Sequence, residues 1–167
     1  ALALTTLQVV ALSTEQLLSL ETQDFAALST NSIAALLTAQ VLALSSDDLL
    51  ALRTDQALAL TTQQIVVLTS DQVATLETQD IAAISTRSVA ALKTAQLLAI
   101  STAQAQALAT QQAAALGTAQ LVALETQDFA ALSTNSIAAL LTAQIAALTS
   151  DQLVALRTDQ AFALITQ

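Results

Sequence analysis

Cysteine, histidine, methionine, tryptophan, tyrosine and proline are all missing from this 167-residue sequence, and glycine occurs once, at Gly117. Without cysteine there is no disulfide framework and no thiolate metal centre. Without histidine a Ser-His-Asp arrangement has no base, and a haem iron finds none of its usual protein ligands, since Met and Tyr are lacking too. The four cations, Arg53, Arg87, Lys93 and Arg157, are scattered through a chain of net charge −9. They leave no basic footprint for a phosphate backbone, so nucleic acid is not expected as a partner. No apolar run approaches the ~18 residues of a membrane span, because hydroxyl and amide residues interrupt the sequence at short intervals. A membrane span is therefore not expected either.

What remains is a repeat of eight residues. The stretch Glu21 to Leu36 splits into two octads, and the same frame runs unbroken from Thr5 to Leu164, giving twenty units. Each reads any residue, Thr, any residue, Gln, a large aliphatic, a smaller apolar residue, Ala, Leu. Position two is Thr in seventeen units and Ser in three (Ser46, Ser70, Ser150). Position four is Gln in thirteen, Asp in four (Asp24, Asp48, Asp80, Asp128) and Ser in three (Ser32, Ser88, Ser136). A fixed short period makes the chain one linear array, a single domain over residues 1–167. Its first four residues match the tail of an octad and its last ones the start of another, so we expect a fragment of a longer array.

One continuous helix is rejected, because eight residues turn through about 800° and the apolar stripe would drift by roughly 80° per octad. A narrow β-solenoid survives the even period, but it would load Ala, Leu, Gln and Asp into strands with no Gly or Pro turns. The pattern fits an all-α solenoid better, with one helix of one to two turns in each octad. The position-two Thr is the expected N-cap, with the Ser or Thr found at position one of ten units as the alternative. Most acids fall at positions three and four, where the first-turn dipole favours negative charge. Positions five and eight share a face and form the expected core, as in Phe25 with Leu28, Ile33 with Leu36 and Leu49 with Leu52. Phe129 and Phe162 are expected in that core too. Alanine at position seven lets the next coil approach, and position six fills what gap remains.

Helices of about 9 Å joined by short corners suit a triangular prism, three octads per coil, with the leucines meeting on the axis. Twenty octads then make a rod of about 60 Å. Glu21 to Gln40 recurs residue for residue at Glu125 to Gln144, thirteen octads on, and thirteen is not divisible by three. The copy therefore lies on a different side of the prism from its parent, which makes the sides interchangeable.

The octads Thr14-Glu-Gln-Leu-Leu-Ser-Leu20 and Thr142-Ala-Gln-Ile-Ala-Ala-Leu148 resemble the tandem octapeptide arrays of large bacterial surface or secreted proteins often labelled haem utilisation or adhesion. Those arrays are associated with a triangular solenoid nicknamed the Toblerone fold. The resemblance covers the whole chain and implies an extended extracellular or cell-surface segment. No motif in it marks chemistry.

No catalytic, cofactor-binding or metal-binding residue is expected, and no cofactor. Serines and threonines are explained as caps. Asp47 and Asp48 are neighbours that a helix directs to different faces, so a solvated first turn is expected there. Acids at matching positions could meet calcium between coils, but calcium sites favour glycine-rich turns and only Gly117 is available. Glutamine beside the apolar face suggests an internal ladder of amide bonds. The expected function is a non-enzymatic spacer or adhesive stalk. The alternative is recognition of a glycan, ice or a protein along an exposed Thr or Gln row, and open coil ends add end-to-end self-association.

Overall fold

The computed structural model describes residues 4–165, the last of them by its backbone alone. Among the described residues the chain forms twenty short helices and no strand, one helix to each octad. The first coil is α1 (Thr6–Ala11), α2 (Thr14–Leu18) and α3 (Thr22–Ala26). The second is α4 (Thr30–Ala35), α5 (Thr38–Ala43) and α6 (Ser46–Leu50), and the third is α7 (Thr54–Ala59), α8 (Thr62–Val67) and α9 (Ser70–Thr75). The series continues through α10 (Thr78–Ala83) and α16 (Thr126–Ala131) to α17 (Thr134–Ala138), α18 (Thr142–Ala147), α19 (Ser150–Val154) and α20 (Thr158–Ile165). Every helix from α1 to α17 packs against the helix three places on. Three octads thus close each coil, and the β-solenoid alternative falls away.

The corners explain why the sequence can dispense with glycine and proline. Corners such as the first are made from two consecutive extended residues, Leu12 (φ −67°, ψ 138°) and Ser13 (φ −67°, ψ 162°). No described residue has a positive φ. A turn made only from ordinary extended and helical backbone needs no residue with special freedom.

The cap falls at position one. Ser13, Ser29, Thr61 and Thr69 accept a hydrogen bond from the N–H of position four. The position-two threonine is already the first helical residue, one place later than the expected cap. Its backbone is committed to the helix, so its hydroxyl is free to face the neighbouring coil.

Positions five and eight form the core, with Phe25, Ile33, Phe129 and Leu132 completely buried, and it opens in the last coil, where Leu153 is exposed. Position four joins them, which the two-position core left out. Position six does not fill gaps inside: Leu18, Leu42, Leu50, Leu58 and Leu98 all stand out from the prism, and Phe162, expected in the core, is 64% exposed. The helical wheel gives the reason. Positions four, five and eight span about 100° of one face, and position six lies almost opposite its centre. Phe129→Ala should lower unfolding free energy by about 3–5 kcal/mol, whereas Leu98→Ala should change it by less than about 0.5 kcal/mol. Urea melts followed by helical circular dichroism check both.

Candidate functional site

Short helices leave unpaired N–H groups at one end and unpaired carbonyls at the other, and here every corner is such an end. Position four resolves both. In every octad with glutamine there from Gln40 onward, Oε1 accepts the position-one N–H of its own corner, at 2.5–3.2 Å. Nε2 of the same side chain donates to the position-eight carbonyl of the corner beneath, twenty-eight residues back, also at 2.5–3.2 Å. A second carbonyl, thirty or thirty-one residues back, accepts from the same nitrogen, as Val73 does from Gln104 at 3.0 Å.

One amide therefore caps the start of its own helix and the end of a helix in the previous coil. The position-four amides are buried beyond the first coil, where Gln8 and Gln16 are exposed, so that column offers no exposed row to a ligand. The internal ladder expected from the sequence is the arrangement found. It also frees position one from supplying a side chain: Leu37, Arg53, Lys93, Ala109, Gly117 and Leu141 all have their N–H served by the glutamine.

Where position four is serine, position one is serine as well. The hydroxyls of Ser29 and Ser32, Ser85 and Ser88, and Ser133 and Ser136 lie 2.8–2.9 Å apart. This pairing is written in the sequence and went unread there. The position-two hydroxyls reach the next coil: Thr62 bonds with Ser88 at 3.2 Å, Ser70 donates to the Ala95 carbonyl at 3.0 Å, and Thr102 donates to Asp128 at 2.6 Å.

The acids divide by burial. Asp47 is exposed but Asp48 is buried, and Asp48 accepts from the Ser45 hydroxyl and N–H at 2.6 and 3.0 Å. The two do face different ways, yet only Asp47 is in solvent. At the surface, the Arg53 side chain, hydrogen-bonded to Asp55, holds that carboxyl below the usual carboxylate range. Asp159 is lowered by its bond from the Thr134 hydroxyl, with help from the charge of Arg157. Asp80 is the opposite case. It is completely buried, and neither carboxylate oxygen closes a hydrogen bond. Burial pushes its carboxyl up, the nearby Glu77 charge adds to that, and the neighbouring Thr54 hydroxyl acts against it.

Surface depressions are open and lie at corners, the first bordered by Glu77, Thr78, Gln79 and Ser101. Among the described residues no three acidic, histidine or cysteine side chains gather as a metal cluster, and no helix is long and apolar enough to cross a membrane. A family model described as the ALTTAQ repeat matches four stretches of the chain, residues 17–54, 43–78, 73–110 and 121–158. No curated protein matches it.

Two outcomes follow. Gln104→Leu keeps the volume but strands the Ser101 N–H and the Leu76 carbonyl and removes the second of two bonds to the Val73 carbonyl, and should cost about 2–4 kcal/mol in urea unfolding. The raised pKa of Asp80 makes its contribution most favourable below the ordinary carboxylate pKa, and that benefit is lost as pH rises through the folded-state value. The stability difference between the protein and Asp80→Asn, measured in EDTA across that range, should therefore shift in favour of Asp80→Asn as pH rises.

Proposed function

Because the chain belongs to the ALTTAQ repeat family and folds as a helical repeat array, we propose that it is a rigid spacer or adhesive stalk of a bacterial surface or secreted protein. The observation that carries this reading is that the polar residues repeated most regularly after threonine are spent on joining one coil to the next. A side chain with both ends bonded inside the prism is unavailable to a substrate. The same ladder gives the array its stiffness, because each corner is tied covalently along the chain and those with glutamine from Gln40 onward are also tied by amide bonds across coils. The apolar core, and a sequence with neither histidine nor cysteine, support a structural rather than catalytic role.

A second reading rests on the threonines alone. Thr54, Thr78, Thr102 and Thr126 follow one another up a single edge and are all exposed, so that edge offers a regular row to a glycan, an ice surface or a protein. A coil face without a neighbour would stack on a second copy, since each internal coil boundary already joins two such faces.

X-ray scattering over a concentration series tests the spacer reading. A rod of about 60 Å gives a radius of gyration near 19 Å, against about 15 Å for a compact domain of this length. Growth of the apparent length in coil-sized increments with concentration marks end-to-end stacking. Saturable binding to an array of glycans, or shaped ice growth in its presence, would replace the spacer with the threonine-edge reading.

A further inference from the structure

Position four has to accept at its own corner and also offer something positive to two carbonyls of the coil beneath. Glutamine does both with one amide. Aspartate cannot, because an ionised carboxylate only accepts. The structure holds three aspartates at this position above the first coil, and two of them have protein partners: Asp48 takes the Ser45 hydroxyl and N–H, and Asp128 takes the Thr102 hydroxyl. Asp80 has none on either oxygen and is completely buried.

The repeat places specific groups beneath it. The carbonyls at twenty-eight and thirty-one residues back, which accept from glutamine at corner after corner, are here those of Leu52 and Leu49. No glutamine amide serves them. Thr54 stands beside the carboxylate, in the place from which Thr102 reaches Asp128. Glu77, at position one of the same corner, is exposed at the rim and brings a second negative charge close enough to act on Asp80. All of these are oxygen donors.

Reach decides what joins them. Followed bond by bond from Cβ, a glutamine amide spans about 7.2 Å to the carbonyl oxygen it bonds. A protonated aspartate spans only about 5.5 Å, and a water bridge about 8.4 Å. A carboxylate linked through a calcium ion, at about 2.4 Å to each oxygen, spans about 7.6 Å. The coil spacing at this boundary is set by glutamines on neighbouring corners, Gln72 and Gln96, so a direct aspartate bond falls short, whereas a calcium ion reaches the carbonyls and supplies the positive charge that amide hydrogens supply elsewhere.

We propose that the corner formed by Asp80, Leu49, Leu52 and Thr54, with Glu77 at its mouth, binds one calcium ion between two coils. The two carboxylates balance the charge, and the two carbonyls and the hydroxyl replace water as ligands. No glycine-rich turn is needed, because stacking, rather than a loop, brings the oxygens together. The ion takes the place of the amide nitrogen in the ladder.

Isothermal titration and thermal melts of the EDTA-treated protein test this. One equivalent of Ca²⁺ should bind with a dissociation constant on the order of 10⁻⁴–10⁻³ M, and about 10 mM Ca²⁺ should raise Tm by about 3–8 °C. Asp80→Gln should fold, since glutamine already occupies most corners. In EDTA it should melt above the unsubstituted protein, and it should lose both the bound equivalent and the calcium-dependent rise. Asp71→Asn, which removes an exposed first-turn carboxylate of α9, should keep both. Absence of calcium binding to the unsubstituted protein overturns the proposal. So does full retention of binding by Asp80→Gln, or an equal rise in Tm from NaCl at matched ionic strength.

Discussion

A helix of six residues cannot satisfy its own ends, and this molecule is a succession of such ends. Each octad leaves N–H groups at its start and carbonyls at its finish, all of them close to an apolar axis where water is excluded and an unpaired group costs about 1–3 kcal/mol. The glutamine at position four meets that demand with a side chain just long enough to serve two corners one coil apart. Threonine at position two and leucine at position eight can be regular because the amide holds them in register. The bond is non-local by about one coil and a corner, so no octad is complete until the coil before it has formed. Nucleation of a single turn is unfavourable, and the ladder is what converts twenty unstable helices into one structure.

Much of this was legible in the sequence. The eight-residue period excluded a continuous helix, the position-five and position-eight residues marked the core, and the size of leucine against the length of a one-to-two-turn helix indicated three sides. The amide ladder followed from the place of Gln beside the apolar face. The cap was ambiguous because hydroxyls occur at both positions one and two, and which backbone N–H is reached depends on a single residue of register. Position six was misread because the inward face was drawn from two positions rather than three. With Gln40 or Gln64 included, the centre of that face moves, and Leu42 turns outward along with Phe162. The serine pairs at 29 and 32, 85 and 88, and 133 and 136 could have been found by comparing positions one and four, since a short hydroxyl at the second is retained only where the first supplies its partner. The isolation of Asp80 was not legible. Asp80 and Asp128 sit in nearly identical octads, Glu-Thr-Gln-Asp in both, and differ by how closely a threonine of the coil beneath approaches.

The division of labour inside the octad also explains its tolerance. Position one receives its hydrogen bond from glutamine whatever its side chain, so Leu, Arg, Lys, Ala and Gly all occur there, and charge can be distributed without touching the fold. Because all three edges are built from the same bonds, a segment such as Glu21 to Gln40 can be copied thirteen octads on. Its first helix then moves from the side of α3 to that of α16, with no change in what holds it.

The exterior poses the remaining physical problem, since leucines at position six, and Leu37 and Leu141 at position one, give a rod of this kind apolar sides. Long apolar stripes on a stiff particle favour lateral association. The acids counter it. Glu15, Asp47, Asp55, Asp71, Asp151 and Asp159 occupy position three and Glu21, Glu77 and Glu125 position one, all exposed, and Glu15, Asp47 and Asp55 share their octads with the outward Leu18, Leu50 and Leu58. The net charge of −9 is uneven along the length: residues 5–52 carry five acids and no cation, whereas residues 101–124 carry no charge, so two rods approaching side by side repel over the first two coils and again from Glu125 onward. Side-by-side contact is therefore opposed where the acids cluster, and the uncharged stretch at residues 101–124 is the part of the rod whose apolar sides charge does not protect.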